Sequence, residues 1–157
     1  MEKLTIGITT FSKRFSYLEN IISQIRKFTD YDILIAVNGD YKEDFNDDYR
    51  KNVLNLCLNY NNVYPIFFTE QRGLSKLWNT LIIHSKTNWN LLMNEDIEIE
   101  NDDIFNVFKH DPIFSEPDLI RINGSFSHFF IHKKRIDELG YFDERLLGFG
   151  EEDGDIT

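Results

Sequence analysis

The chain has 157 residues, which predicts one domain with enough length for a substantial core. Hydrophobic residues make up 41% and aromatic residues 15% of the sequence, which argues against a disordered chain. The formal net charge of −10 argues against a nucleic-acid partner, because phosphates require cations. It would also oppose a nucleotide-bearing ligand unless a metal ion or local basic side chains offset it.

Cysteine usage and hydropathy indicate the compartment. Cys57 is the single cysteine, so no disulfide can form within the chain, as is typical of a reducing compartment. It lies in an apolar helical pattern, and we expect it in the core. The N-terminal residues lead directly into a strand-like run, without the pattern of a signal peptide. No apolar run approaches the roughly 20 residues that span a bilayer, so we expect no transmembrane segment.

Strands and helices alternate in the first part of the chain. Apolar runs predict strands at residues 4–9, 33–37, 63–68 and 89–93. Apolar residues at helical spacing predict helices at residues 18–28, 49–60 and 74–82. Ser16 and Glu19 match a capping box at the start of the first helix. Pro65 removes one ladder donor, so we expect the third strand near a sheet edge. This alternation is typical of a parallel sheet covered by helices.

The pattern changes after residue 96. An Asn-Asp-Asp stretch at 101–103 can cap a short helix that runs through Phe108. Two further strands are predicted at 119–122 and 126–132, and the Asn-Gly pair between them is a strong turn signal.

Polar and acidic side chains follow the fourth strand directly. In open α/β sheets, ligands bind just past the carboxyl ends of the strands. Asp96 could hold Mn²⁺ or Mg²⁺ against a phosphorylated ligand, since both ions favour oxygen ligands. Asn94 could add its carbonyl oxygen, whereas Glu95 is expected to point away from the metal. The alternative is that Asp96 is a turn carboxylate that caps the next segment.

A second acidic cluster lies near the end of the chain. It consists of Glu151, Glu152, Asp153 and Asp155. Asp153 could take the proton of an acceptor hydroxyl, with Glu152 as its substitute, because a general base must lie within hydrogen-bond reach of the nucleophile. The alternative is capping of a following helix, whose dipole favours acidic residues.

Candidate ligand-binding residues, which the family resemblance described below assigns to a nucleotide-sugar, lie at strand ends and around the third helix. The set is Thr9, Phe11, Asn38, Asp40, Arg72, Lys76, Asn79 and Glu95. Those after the first two strands lie where a nucleoside would rest, or they serve plain turn chemistry. The two basic residues could meet a diphosphate at a helix N-terminus, or they are solvated surface charges. Asn79 could support the pocket or be an ordinary exposed helix residue.

Several other classes of site lack their sequence patterns. The histidines do not have zinc-ligand spacing, and His128 and His132 are expected to be structural or to face an acceptor. The chain has no P-loop, no Gly-x-Gly-x-x-Gly after the first strand and no Gly-x-Ser-x-Gly elbow.

The order and spacing of these stretches resemble the family 2 glycosyltransferases with the GT-A fold, from about residue 4 to residue 156. The matching stretches are Thr-Thr-Phe-Ser-Lys-Arg (9–14), Val-Asn-Gly-Asp (37–40), Arg-Gly-Leu-Ser-Lys-Leu-Trp-Asn (72–79), Asn-Glu-Asp (94–96), Gly-Tyr-Phe-Asp-Glu (140–144) and Gly-Glu-Glu-Asp-Gly-Asp (150–155). The resemblance implies a single domain over residues 1–157: a GT-A-like α/β sandwich with a mostly parallel central sheet flanked by helices.

The resemblance also implies an activity. It is the inverting transfer of a sugar from a nucleotide-sugar donor to a hydroxyl of a glycan or lipid-linked acceptor, assisted by Mn²⁺ or Mg²⁺. The implied setting is surface glycan biosynthesis, in the cytoplasm or peripherally at the inner face of the membrane.

The sequence departs from the family pattern in three places. Asn94 stands where relatives carry the first Asp of the metal motif, and Val37 stands where many carry an Asp that faces the nucleoside. The sequence also stops directly after the second acidic cluster, where relatives usually continue, so we expect either a truncated chain or a minimal member.

Two alternative functions stay open. One is a sugar-phosphate nucleotidyltransferase, although residues 9–14 lack the glycine-rich loop it requires. The other is a non-catalytic module that binds a nucleotide-sugar or a partner protein.

Overall fold

The computed structural model describes residues 3–11, 14–39, 47–122 and 125–144. Six strands and five α-helices lie in these ranges. They are β1 (Leu4–Thr10), α1 (Phe15–Arg26), β2 (Ile33–Val37), α2 (Asp47–Leu58), β3 (Val63–Phe67), α3 (Leu74–His84), β4 (Trp89–Asn94), α4 (Asp103–His110), β5 (Leu119–Ile122), β6 (Ser125–His132) and α5 (Lys133–Leu139). A short 3₁₀ turn, Pro112–Ser115, lies between α4 and β5.

The strands form one mixed sheet in the order β3-β2-β1-β4-β6-β5. The first four strands are parallel, while β6 runs antiparallel to both β4 and β5. The carboxyl ends of β1, β2, β3 and β4 therefore meet at one side of the sheet, which we call the carboxyl edge. The predicted mostly parallel sheet flanked by helices is confirmed.

The burial of each strand agrees with its position in the sheet. Every residue of β1 and β2 is buried, as expected for central parallel strands covered on both faces. β3 lies at the sheet edge and carries Pro65 opposite Ile35, which confirms the predicted edge position. Gly7 lies in the middle of β1, where a Cβ atom would be 2.6 Å from Leu92 Cδ2 and 3.1 Å from Leu81 Cδ1. Glycine at this position therefore lets α3 pack closely on the sheet.

The core lies on both faces of the sheet. One apolar cluster packs between the sheet and α1, α2 and α4, and it includes Cys57, which confirms the predicted burial of this cysteine. The other cluster packs under α3 and α5. An aromatic group at the amino end of β4 joins Trp89 to Phe114 at 5.0 Å between ring centroids. Full burial of one such large apolar side chain contributes about 1.5–3 kcal/mol.

Two local expectations were wrong or incomplete. The capping box at Ser16 is not formed: α1 starts at Phe15, after Arg14, and no side chain caps its N-terminus. Ser16 therefore lies inside the first turn. The helix α5 was not predicted, because its seven residues bury only Ile136 and present no apolar stripe. Among the described residues, no helix combines the length and apolar character of a membrane span.

Candidate functional site

The turn after β4 lies at the carboxyl edge, beside the end of β1. Thr9 and Asn94 are partners in the β1–β4 register. The Thr9 hydroxyl donates a hydrogen bond to Asn94 Oδ1 at 3.2 Å. An amide oxygen has two lone pairs, so Asn94 Oδ1 can accept from Thr9 and still bind a cation. The structure thus brings one nucleotide-site candidate, Thr9, into contact with one metal-site candidate, Asn94.

Glu95 points into the protein. It is 1% exposed, and Arg14 Nη1 donates to its Oε1 at 3.0 Å. Burial raises the pKa of Glu95, and the hydrogen bond and charge of Arg14 oppose that rise. The second oxygen, Oε2, is buried without a hydrogen-bond partner among the described residues. Arg14 therefore links the buried Glu95 to the exposed part of the turn.

Asp96 is the exposed carboxylate of this turn. Its side chain is 43% exposed, and its Oδ2 lies 3.9 Å from Arg14 Nη2. The turn is closed by the Ile97 amide, which donates to the Asn94 carbonyl oxygen at 3.3 Å. The Arg14 guanidinium thus contacts both carboxylates, and we call Arg14, Glu95 and Asp96 the Arg14 cluster. Arg14 lies within one of the matching stretches (9–14), but its residue type and spacing alone did not indicate a role in the site.

The metal ligands that this turn offers can be compared with those that the implied metal ion requires. Within the described ranges, no three His, Cys, Asp or Glu side chains are grouped so that they could hold a metal. The turn offers one half-exposed carboxylate, Asp96, and one amide oxygen, Asn94. Mg²⁺ often takes only one or two protein carboxylates and completes its shell with phosphate and water. The residues therefore fit an ion shared with a diphosphate, rather than an ion held by protein ligands alone.

The end of β2 is fastened to the segment before α3. Asn38 is 4% exposed, and its Nδ2 donates to the Arg72 carbonyl oxygen at 2.9 Å. Its Oδ1 accepts from the Arg72 amide at 2.8 Å and from the Gly39 amide at 2.9 Å. A Cβ atom on Gly39 would overlap the backbone of Glu70. Asn38 therefore places the Arg72 backbone at the carboxyl edge, and the side-chain amide of Asn38 is occupied by these hydrogen bonds.

The Arg72 side chain itself remains half exposed. Its Nη2 lies 3.4 Å from Glu70 Oε2, and both side chains are exposed enough for solvent to screen the pair. The Arg72 guanidinium is therefore accessible to a ligand at this edge.

The third helix is tied to the residues after α5. Asn79 is 4% exposed, and its Nδ2 donates to the Phe142 carbonyl oxygen at 2.9 Å. The Phe142 amide donates back to Asn79 Oδ1 at 3.1 Å. One turn earlier, Lys76 Nζ lies 3.5 Å from Glu144 Oε1. Asn79 is thus not the ordinary exposed helix residue that one interpretation expected; it holds the 140–144 stretch against α3.

The remaining predicted residues are placed only in part. Phe11 follows β1 directly and is partly buried. Asp40, Glu152 and Asp153 lie outside the described residues.

Two cavities adjoin the turn after β4. One, of about 520 Å³, lies between the first half of α1 and residues 95–98. The other, of about 670 Å³, lies between α4 and the β5–β6 pair, and its lining includes Ile97 and His128. Burial lowers the pKa of His128, whose Nδ1 lies 2.9 Å from Ser127 Oγ. His128 therefore lines a cavity beside the candidate site.

Comparisons with known proteins give a structural match only. No protein-family model matches the chain, and no curated protein matches it by sequence. The mannosyltransferase PcManGT from Pyrobaculum calidifontis, in complex with GDP-Man and Mn²⁺, is similar with a TM-score of 0.71 and 14% identity, over 97% of this chain and 50% of that one.

TarS from S. aureus is similar in two structures. The TarS 1-349 structure has a TM-score of 0.66 and 12% identity, and the match covers 94% of this chain and 52% of that one. A second TarS structure has a TM-score of 0.66 and 11% identity, with 98% of this chain and 32% of that one covered. The chain therefore spans about half the length, or less, of these proteins.

Identities this low show a shared fold rather than a shared activity. Nearly all of the chain superposes on a mannosyltransferase whose structure contains a nucleotide-sugar and a divalent metal. The predicted fold class is confirmed: this protein is an α/β domain with a GT-A-like fold.

Proposed function

We propose that this chain is the donor-binding part of an inverting glycosyltransferase, which moves a sugar from a nucleotide-sugar to a hydroxyl acceptor. The observation that carries the proposal is the meeting of Thr9, Asn94, Asp96 and Arg14 at the carboxyl edge of a GT-A-like sheet. Ligands of open α/β sheets bind at this place. The likeness to a structure that contains GDP-Man and Mn²⁺ supports the same ligand class here.

Asp96 and the Asn94 carbonyl oxygen would hold Mn²⁺ or Mg²⁺ together with the donor diphosphate. The ion would offset negative charge on the leaving nucleoside diphosphate. Arg72 and Lys76 flank the N-terminus of α3, and both have accessible side chains. A helix N-terminus attracts phosphate through its free amides and its dipole. The two cations therefore offset part of the chain's acidity where an anionic donor would bind.

The nucleoside would lie along the ends of β1 and β2. Phe11 and Asp40 would contact it, and Asn38 would act by holding the Arg72 segment in place. Asn79 would act in the same indirect way, by holding residues 142–144 against α3.

The second acidic cluster would supply the chemical step. Inversion by direct displacement needs a base within hydrogen-bond reach of the acceptor hydroxyl. We assign that role to Asp153, with Glu152 as its substitute. The acceptor would be a glycan or a lipid-linked sugar, in surface glycan biosynthesis on the cytoplasmic side. Acceptor recognition and full activity are proposed for the whole protein, since this chain spans half of the mannosyltransferase it resembles.

Ligand-induced stabilisation tests the donor-binding proposal. The melting temperature is measured with UDP, GDP and their sugar conjugates, each with and without Mn²⁺. A ligand that binds only the folded state at 100 times its Kd adds about 2.7 kcal/mol of stability. We expect one nucleotide series to raise the melting temperature in a Mn²⁺-dependent way. No shift with any nucleotide, at any Mn²⁺ concentration, would refute the proposal.

A non-catalytic binding module is the second candidate function. One observation favours it: Asn94 stands where relatives carry a carboxylate of the metal motif. Donor hydrolysis separates the two candidates. A transferase releases free sugar slowly from its donor when Mn²⁺ is present, whereas a binding module shows the same stabilisation by ligand without any release.

A further inference from the structure

The Arg14 cluster joins two segments that are far apart along the chain. Arg14 directly precedes α1, and Glu95 follows β4, 81 residues later. Both lie at the carboxyl edge, because β1 and β4 are neighbours that run in parallel. The guanidinium reaches Glu95 with one nitrogen and Asp96 with the other. A single side chain thus contacts both acidic residues of the turn that carries the candidate metal ligand.

The two contacts differ in strength. The contact with Glu95 is 3.0 Å long, and the Glu95 side chain is fully buried. The contact with Asp96 is 3.9 Å long between two side chains that are each more than 40% exposed. Solvent screens exposed pairs, so the Asp96 contact contributes little by itself. Loss of Arg14 would instead leave the buried Glu95 Oε1 without its side-chain donor, which is costly whether the carboxyl stays charged or takes up a proton.

We propose that Arg14 is a positioning residue for Asp96. It anchors the buried Glu95, and this anchor fixes the backbone of residues 94–97. The Asp96 carboxylate is thereby held in one position and one orientation at the surface. The inference rests on the proposed function, because it gives Asp96 the role of a metal ligand. Groups that orient metal ligands typically change metal affinity by about 10–100-fold when they are removed.

A competing interpretation predicts the opposite sign. If Arg14 merely competed with a cation for Asp96, removing its positive charge would tighten metal binding. If Arg14 positions Asp96, removing it weakens metal binding despite the lost repulsion. The direction of the change therefore separates the two.

The chain offers a matched control. Arg26 is also an arginine with tertiary contacts. Among the described residues, its nitrogens donate only to backbone carbonyl oxygens, those of Thr29, Tyr31, Asn61 and Asn62. It lies at the other end of α1, away from the carboxyl edge. Arg26→Gln should lower the melting temperature without changing metal affinity.

The experiment measures Mn²⁺ binding by electron paramagnetic resonance, from the signal of the free ion, with UDP or GDP present. We expect Arg14→Gln to raise the Kd for Mn²⁺ by about 10–100-fold. Arg14→Lys keeps the charge but reaches only one carboxylate, so its Kd should lie between those of wild type and Arg14→Gln. It also serves as the test variant if Arg14→Gln does not fold. Arg26→Gln should bind Mn²⁺ like the wild type.

Hydrogen exchange of the Ile97 amide gives a readout without metal. This amide donates to the Asn94 carbonyl oxygen, so a released turn should exchange faster in Arg14→Gln than in wild type or Arg26→Gln. Unchanged or tighter Mn²⁺ binding in Arg14→Gln would overturn the inference and leave the proposed function intact. A wild-type chain that binds no Mn²⁺ with either nucleotide would overturn the metal site itself. In that event, unchanged Ile97 exchange in Arg14→Gln would also overturn the anchoring role.

Discussion

Replacing Asn79 with Leu should destabilise the protein strongly, although the two side chains are similar in size. The Asn79 amide makes two hydrogen bonds to the backbone of Phe142, at 2.9 and 3.1 Å. Leucine can make neither bond, and the Phe142 ring packs against Trp78 at 4.8 Å, so water cannot easily take the place of the amide. The Phe142 amide and carbonyl would then stay buried and unpaired.

The expected loss follows from the cost of unsatisfied groups. Each buried polar group left without a partner costs about 1–3 kcal/mol, and the apolar surface that leucine buries offsets part of the sum. We expect a net loss of about 2–4 kcal/mol. In a domain of this size, each kcal/mol lowers the melting temperature by about 2–4 °C.

Chemical denaturation with urea measures this change directly. The control is Asn55→Leu, which makes the same substitution at an exposed position of α2 and should stay within about 0.5 kcal/mol of wild type. If Asn79→Leu were as stable as Asn55→Leu, the link between α3 and residue 142 would not stabilise the fold, and our account of this side chain would be wrong.

Three further substitutions test other parts of the site. Asp96→Ala should abolish Mn²⁺-dependent binding of a nucleoside diphosphate in calorimetry while the circular dichroism spectrum is unchanged; wild-type affinity would remove the metal assignment. Asp153→Asn should keep donor affinity but lower sugar transfer by about 10²-fold, in a form of the protein long enough to show transfer; if only Glu152→Gln lowers it, the base is Glu152, and if neither does, the acidic cluster is structural. Gly39→Ala should lower the melting temperature, because its Cβ would overlap the Glu70 backbone; an unchanged melting temperature would show that this loop adapts freely.

The sheet could be predicted from the sequence because its signals are local. Residues 33–37 form a continuous apolar run, which a strand buried on both faces requires. Pro65 marks an edge strand because it cannot donate to a neighbour on one side. The Asn-Gly pair at 123–124 separates two segments that do pair as antiparallel strands. Each of these inferences needs only neighbouring residues. The structure confirms the buried strand, the edge strand and the antiparallel pairing, while the Asn-Gly turn itself lies outside the described residues.

Helix boundaries and short helices were less predictable. A Ser followed three residues later by a Glu matches the capping-box pattern wherever the helix begins, so the match does not fix the first residue of the helix. In this chain, Ser16 lies inside the first turn and Arg14 precedes the helix. The α5 segment, Lys133–Leu139, is mostly charged, and its end depends on Gly140, which adopts a positive φ of 81°. A glycine in the left-handed conformation ends a helix where the chain changes direction. The spacing of apolar residues does not indicate where such a residue occurs.

The contacts within the site are the part that sequence cannot supply. The partner of Glu95 is 81 residues away in the chain, and the partner of Asn79 is 63 residues away. From sequence alone, Glu95 was expected to point away from the metal, and it was also placed among the nucleotide-sugar-binding candidates. The structure buries Glu95, and a charged residue is almost never fully buried unless it is paired. Nothing in the sequence indicates which of the 17 Lys and Arg residues is that partner.

Three buried polar side chains perform the same physical task in this fold. Asn38 holds the Arg72 segment, Asn79 holds Phe142, and Glu95 is held by Arg14. In each case a side chain from a strand end or helix satisfies groups of a distant loop, and an unsatisfied buried group is costly, so the loop has one favoured position. The acidic turn after β4 offers few metal ligands of its own. We expect it to bind a metal-diphosphate only if the neighbouring loops are already ordered, because each loop that must become ordered on binding lowers the affinity. The rigidity of these three connections, rather than the number of carboxylates, is therefore what we expect to determine donor affinity.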